Sequence, residues 1–145
     1  METCKVDEKR LNAENAVLAK HLPENLYRFE RIGKTLWLKA AARTNRGHVY
    51  TLAFDLSGFP AGVPKVYVTQ ALKDKQGRPL LSVDGKMHVL GSDRGWTRIC
   101  HYGSDAWTPM VSLFKVYVKC RLWLEMYELH LQTGKRIDYY LNHQK

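Results

Sequence analysis

The feature that most constrains this chain is a change in the repeat of its apolar residues near position 109. Before it they alternate: Tyr50, Leu52, Phe54 and Leu56 share one side of a two-residue repeat, and Leu36, Leu38 and Ala40 are separated by Trp37 and Lys39. After it, Leu113, Tyr117, Cys120, Leu124, Tyr127 and Leu131 recur every three or four residues. A strand shows alternate side chains to one face, whereas a helix shows every third or fourth. The chain must therefore build sheet first and helix afterwards, which predicts an α+β fold.

The remaining elements follow from the same reading. Residues 8–22 carry Leu11, Val17, Leu18 and Leu22 among good helix formers and stop before Pro23, predicting one amphipathic N-terminal helix. Phe29 to Arg43 reads as a strand, Asn45-Arg46-Gly47 as a turn, and His48–Leu56 as a second strand completing a hairpin. The prolines and glycines of 58–64 interrupt the pattern before a third strand at Lys65–Thr69, and Met87–Leu90 supplies a fourth. The expectation is an antiparallel four-stranded meander. Residues 91–108 mix turn formers with Trp96, Ile99, Cys100, Tyr102 and Trp107, and read as one long functional loop. A helix then starts with Pro109 in its first turn and is capped by Gly134, and Arg136–His143 forms a short last helix. A length of 145 residues fits a single domain over 1–145.

Composition removes several classes of function. No apolar run approaches the roughly 20 residues that span a bilayer, and the charged opening METCKVDEKRLNAE lacks the apolar stretch of a signal peptide. Three cysteines (4, 100 and 120) do not make a disulfide framework, and no Cys/His pair has zinc-ligand spacing. A cytoplasmic protein with free thiols, no metal and no cofactor is expected. The net charge of +9 (23 Lys+Arg against 14 Asp+Glu) favours acidic partners. The cations are scattered, with no arginine-rich block and no RNA-binding aromatic signature, so nucleic acid is the least favoured partner.

Four local features lie in a telling order: Phe59-Pro60 with Pro64-Lys65-Val66, then His88, then Ile99-Cys100, then Trp107-Thr108-Pro109. Together they resemble the ubiquitin-conjugating family, in which an aromatic-Pro segment leads from the second strand to the third. There a motif histidine precedes an Ile-Cys active-site step, and a Trp-Ser-Pro step opens the next helix. The C-terminal part, including 138–143, is more similar to bacterial members encoded with antiphage cyclic-oligonucleotide signalling systems. The resemblance implies a ubiquitin-conjugating-like fold with an active-site loop. It also implies a transferase holding a protein C-terminus as a thioester on Cys100. The partner it implies is a protein modifier with a small C-terminal residue, a cyclic-GMP-AMP-synthase-like (cGAS-like) nucleotidyltransferase, loaded by an activating enzyme. The chain departs from the family where His-Pro-Asn is replaced by His88-Val89-Leu90, which leaves the oxyanion donor open.

Thioester carriage needs an accessible thiol whose pKa is lowered by basic neighbours, and Arg98, His101 and His88 are candidates. The tetrahedral intermediate needs a preorganised donor; His101, Tyr102 or backbone N–H groups near Gly103-Ser104 could serve, and Asp105 could orient an attacking amine. The ordinary role of such a histidine as His88 is to hold a loop by hydrogen bonding, and Cys120, on an apolar helix face, reads as a core residue. Two other functions remain open: a cysteine hydrolase using Cys100 with His88 or His101, and an inactive binding scaffold of the same fold.

Overall fold

The computed structural model describes residues 6–80, 85–99 and 106–142. Helix α1 spans Glu8–His21, and the Asp7 side chain caps it by accepting from the Arg10 N–H at 2.7 Å. Strands β1 (Tyr27–Ile32), β2 (Thr35–Arg43), β3 (Val49–Asp55) and β4 (Lys65–Val68) follow, then β5 (Val89–Asp93) and β6 (Trp96–Ile99). Helices α2 (Leu113–Thr133) and α3 (Ile137–Asn142) complete the described chain. The strands form one antiparallel sheet of order β1-β2-β3-β4-β6-β5.

The α+β class holds, but six strands replace the expected four. Two tight turns account for the difference. Within the supposed single strand Phe29–Arg43, Gly33 adopts φ 61°, a conformation that costs glycine little, and Ile32 pairs with Thr35 around it. Within the supposed loop 91–108, Arg94 and Gly95 both have positive φ (47° and 79°), as a type I′ hairpin turn requires. Asp93 then pairs with Trp96. Met87 ends a short 3-10 turn over Gly85–Met87 and does not start a strand. Helix α2 begins at Leu113, four residues after Pro109, because the Ser112 hydroxyl accepts from the Lys115 N–H at 3.1 Å and fixes the first turn there. Its other end is as expected: Gly134 is left-handed (φ 81°), with its N–H donating to the His130 carbonyl.

One sheet face packs against α1, α2 and α3. Leu38, Ala40, Leu52, Phe54, Val66, Val68 and Ile99 meet Leu18, Val116, Cys120, Trp123, Leu124 and Ile137 there, all essentially without solvent exposure. The alternation of Tyr50, Leu52, Phe54 and Leu56 is borne out, and of the helical repeat only Leu131 (36% exposed) lies outside the core. The odd residues of the alternation also have a purpose. Trp37, Ala53 and Tyr67 are buried on the opposite sheet face with Trp96 against them, and the Arg94 guanidinium lies 5.1 Å and 5.3 Å from the two indole centroids.

Two polar ties fix the helices to the rest. Glu14 of α1 is buried, and its Oε1 accepts from the Leu113 N–H at 2.7 Å while its Oε2 accepts from Arg10 Nε at 2.8 Å. A carboxylate from one helix thus satisfies a donor at the unpaired N-terminus of another. At the far side, buried Glu128 of α2 accepts from the Tyr50 hydroxyl at 2.8 Å and sits 2.7 Å from His48 Nδ1.

Candidate functional site

The site foreseen in the sequence centres on Cys100. Cys100, His101, Tyr102 and Asp105 lie outside the described residues. Ile99, the last residue of β6, is buried in the core and pairs with Val89. His88 directly precedes Val89, so it stands at the same end of the β5–β6 ladder from which the chain runs from Ile99 into Cys100. On the other flank, Trp107 Nε1 donates to the Pro60 carbonyl at 2.9 Å, and its ring meets fully buried Phe59 at 6.1 Å. The Phe59–Val66 segment therefore anchors the return of the chain toward α2.

His88 is held from both its backbone and its ring. Its φ of 54° is uncommon for a residue with a side chain. Its carbonyl accepts from Trp123 Nε1 at 3.2 Å, and its Nε2 lies 3.1 Å from Asp138 Oδ1 at the start of α3. An ionised carboxylate only accepts, so this contact places a proton on Nε2 and leaves Nδ1 as the acceptor in the neutral ring. The ring retains 25% exposure and Asp138 39%, so solvent reaches the pair. This arrangement can orient an imidazole and fix its tautomer, the role a carboxylate plays beside a catalytic histidine. It equally serves to hold the loop, the ordinary role for such a histidine.

Asp138 went unrecognised as a site residue in the sequence. Fifty positions separate it from His88, and neither periodicity nor local spacing links the two. Leu90, the last residue of the His88-Val89-Leu90 run, is the extra residue where the β5–β6 register shifts, and it is 53% exposed. Its side chain offers no donor.

The thiol among the described residues is unsuited to this chemistry. Cys120 is fully buried on α2, and burial pushes its thiol well above the usual range. Among the described residues no three His, Cys, Asp or Glu side chains gather as metal ligands, and no helix is long and apolar enough to cross a membrane.

The Glu128 cluster is a structural carboxylate whose charge matters to stability. Burial raises its pKa, but the polar groups facing it, Thr44 and the hydrogen-bonded Tyr50 and His48, outweigh burial and hold it below the ordinary glutamate value. A lowered folded-state pKa adds stability above the unfolded value, and that contribution is lost as pH falls through the folded value. Glu128→Gln should therefore flatten the acid side of a melting-temperature profile below about pH 4.5, near the unperturbed glutamate value. An unchanged acid limb in that variant would assign the acid sensitivity to other carboxylates.

In comparisons with protein-family models, with curated proteins and with solved structures, no match to the chain was found.

Proposed function

We propose that the chain is a ubiquitin-conjugating-like carrier that takes an activated protein C-terminus on Cys100 and passes it to an amine. The observation that carries this reading is the hydrogen-bonded His88–Asp138 pair at the sheet end from which β6 leads into Cys100. Support also comes from the element order. The α+β order, a helix, an antiparallel meander and C-terminal helices, is compatible with that reading, but the Phe59–Val66 segment joins β3 to β4 and not a second strand to a third, and the β5–β6 hairpin is added beside β4. In the first step the Cys100 thiolate attacks the activated carbonyl, forming the C–S bond as the activating group leaves. In the second an amine attacks that carbonyl, the C–S bond breaks with its electron pair returning to sulfur, and a base takes the amine proton. His88 Nδ1 is the assigned base, and Asp138 holds its ring. The acyl donor is a modifier with a small C-terminal residue, of the cGAS-like nucleotidyltransferase kind, delivered by an activating enzyme in antiphage defence.

The test uses candidate modifier, activating enzyme and this protein, resolved with and without reductant. A reductant-sensitive adduct is expected that Cys100→Ala abolishes and Cys100→Ser converts to a reductant-resistant oxyester, with Cys120 unmodified throughout. Release of free modifier in place of an adduct would indicate a hydrolase. The exposed Leu90, which supplies no oxyanion donor, favours one second reading, an inactive scaffold of the same fold. Absence of any adduct would select it.

A further inference from the structure

The two outer strands of the sheet, β1 and β5, are built differently. At β5 the register shifts between Val89 and Gly91, a bulge that interrupts the row of outward backbone groups. At β1 the pairing with β2 is regular over the whole of Tyr27–Ile32, with neither bulge nor proline. The turn fixes which groups of β1 point outward. Ile32 and Thr35 flank the two-residue turn Gly33-Lys34 and form its closing hydrogen-bonded pair. Such pairs alternate along an antiparallel ladder, so Arg28, Glu30 and Ile32 direct their N–H and C=O groups at β2. The Leu36 carbonyl accepts from the Leu56 N–H on the far side of β2, as this phase requires. The backbone groups of Tyr27, Phe29 and Arg31 therefore project from the edge of the sheet. Among the described residues, nothing hydrogen-bonds to them.

Such an edge can accept an extended strand, and side chains decide which one. Arg28 and Glu30 lie on the sheet face away from the helices, opposite Lys39 and Trp37 of β2. Glu30 Oε1 is 3.0 Å from Lys39 Nζ and 3.8 Å from Arg28 Nη2, and the Arg28 side chain remains 69% exposed. A second β1 laid antiparallel with Phe29 opposite Phe29 pairs every outward group at 27, 29 and 31. It also sets Arg28 opposite Glu30 of the second copy, and the twofold axis repeats that pair in reverse. A slip of two residues keeps the backbone phase but brings Arg28 opposite Arg28, or Glu30 opposite Glu30. Unlike charges directly opposite stabilise a ladder and like charges oppose it. One register thus meets the hydrogen-bonding and the charge requirement together.

We infer that two copies of this chain associate through β1, antiparallel about Phe29, to make one continuous sheet. The contact does not depend on thioester chemistry at Cys100 and stands or falls separately from it. Sedimentation equilibrium of the full chain tests it, with reductant present so that no disulfide links the copies. The mass should rise from 16.8 kDa toward twice that value. The rise should fall between about 10 μM and about 1 mM, since a contact of one strand is small. Arg28→Glu and Glu30→Lys should each weaken dimerisation about tenfold or more, because each sets like charges opposite one another. An equimolar mixture of the two variants should restore it, since each supplies the charge that the other lacks; that recovery also shows that both fold. Amide exchange at Phe29 should slow as the protein is concentrated. A mass that stays at 16.8 kDa up to about 1 mM would overturn the inference. So would slow Phe29 exchange that is independent of concentration, which would mean that the chain covers its own edge. A dimer that both charge variants leave intact would place the contact elsewhere and overturn it as well.

Discussion

Trp123→Ala should cost about 3–5 kcal/mol of folding free energy, the range for truncating a fully buried large aromatic. The indole is 1% exposed in the centre of α2, stacks on Tyr127 with centroids 5.5 Å apart, and donates its N–H to the His88 carbonyl. Against a typical domain stability of about 5–15 kcal/mol that is a large share of the margin. Urea denaturation measures it, and a loss under about 1 kcal/mol would mean that the core around the site collapses to fill the cavity. Trp123→Phe separates the two contributions. It keeps one aromatic ring in the core and removes the hydrogen bond, worth about 0.5–1.5 kcal/mol net, together with the packing of the second ring. The Phe variant should also shift the His88 ring resonances while leaving those of His48 in place. A stability loss in Trp123→Phe as large as in Trp123→Ala would show that the His88 carbonyl, and with it the site loop, depends on that one donor.

Glu14→Ala should be comparably damaging, again about 3–5 kcal/mol, because it removes one partner of a buried pair and leaves the other uncompensated. Here the stranded groups are the Leu113 N–H and the Arg10 guanidinium, whose side chain is only 22% exposed and also donates to the Val111 carbonyl at 3.0 Å. Glu14→Gln keeps an acceptor for Leu113 but loses the ion pair, so its cost should fall between wild type and alanine. The double variant Arg10→Met with Glu14→Gln should recover part of the loss, since replacing both partners removes the unpaired charge. Strictly additive losses in that cycle would show that the two residues act independently, contrary to their 2.8 Å contact.

What the sequence revealed and what it hid divide along the range of the interaction. Periodicity is local, so the core faces of β3 and α2 were legible from Leu52, Phe54, Cys120 and Leu124. The caps at Gly134 and before Pro23 were legible for the same reason. The misread elements, β1–β2 and β5–β6, hinge on two-residue turns, Gly33-Lys34 and Arg94-Gly95, that interrupt runs otherwise readable as one strand and one loop. Of the candidate site, His88 was found because a sequence pattern named it, while Asp138 became visible only when α3 was folded against the turn that ends at Met87. Glu14 was unreadable for a further reason. A glutamate in a helix near other charges looks like solvated surface, and only the approach of a chain segment 99 residues away turns it into a buried cap.

The order in which the core is assembled has a consequence for synthesis. The strands β1 to β4 pair with their neighbours in sequence, so the meander can form early on a growing chain. Its apolar face, however, is closed chiefly by α2, and the cap that starts α2 comes from α1. Until residue 133 has left the ribosome, the nascent sheet carries Leu38, Leu52, Phe54, Val66 and Val68 with only α1 to cover them. In that interval the chain is a natural client for chaperones that shield exposed apolar surface.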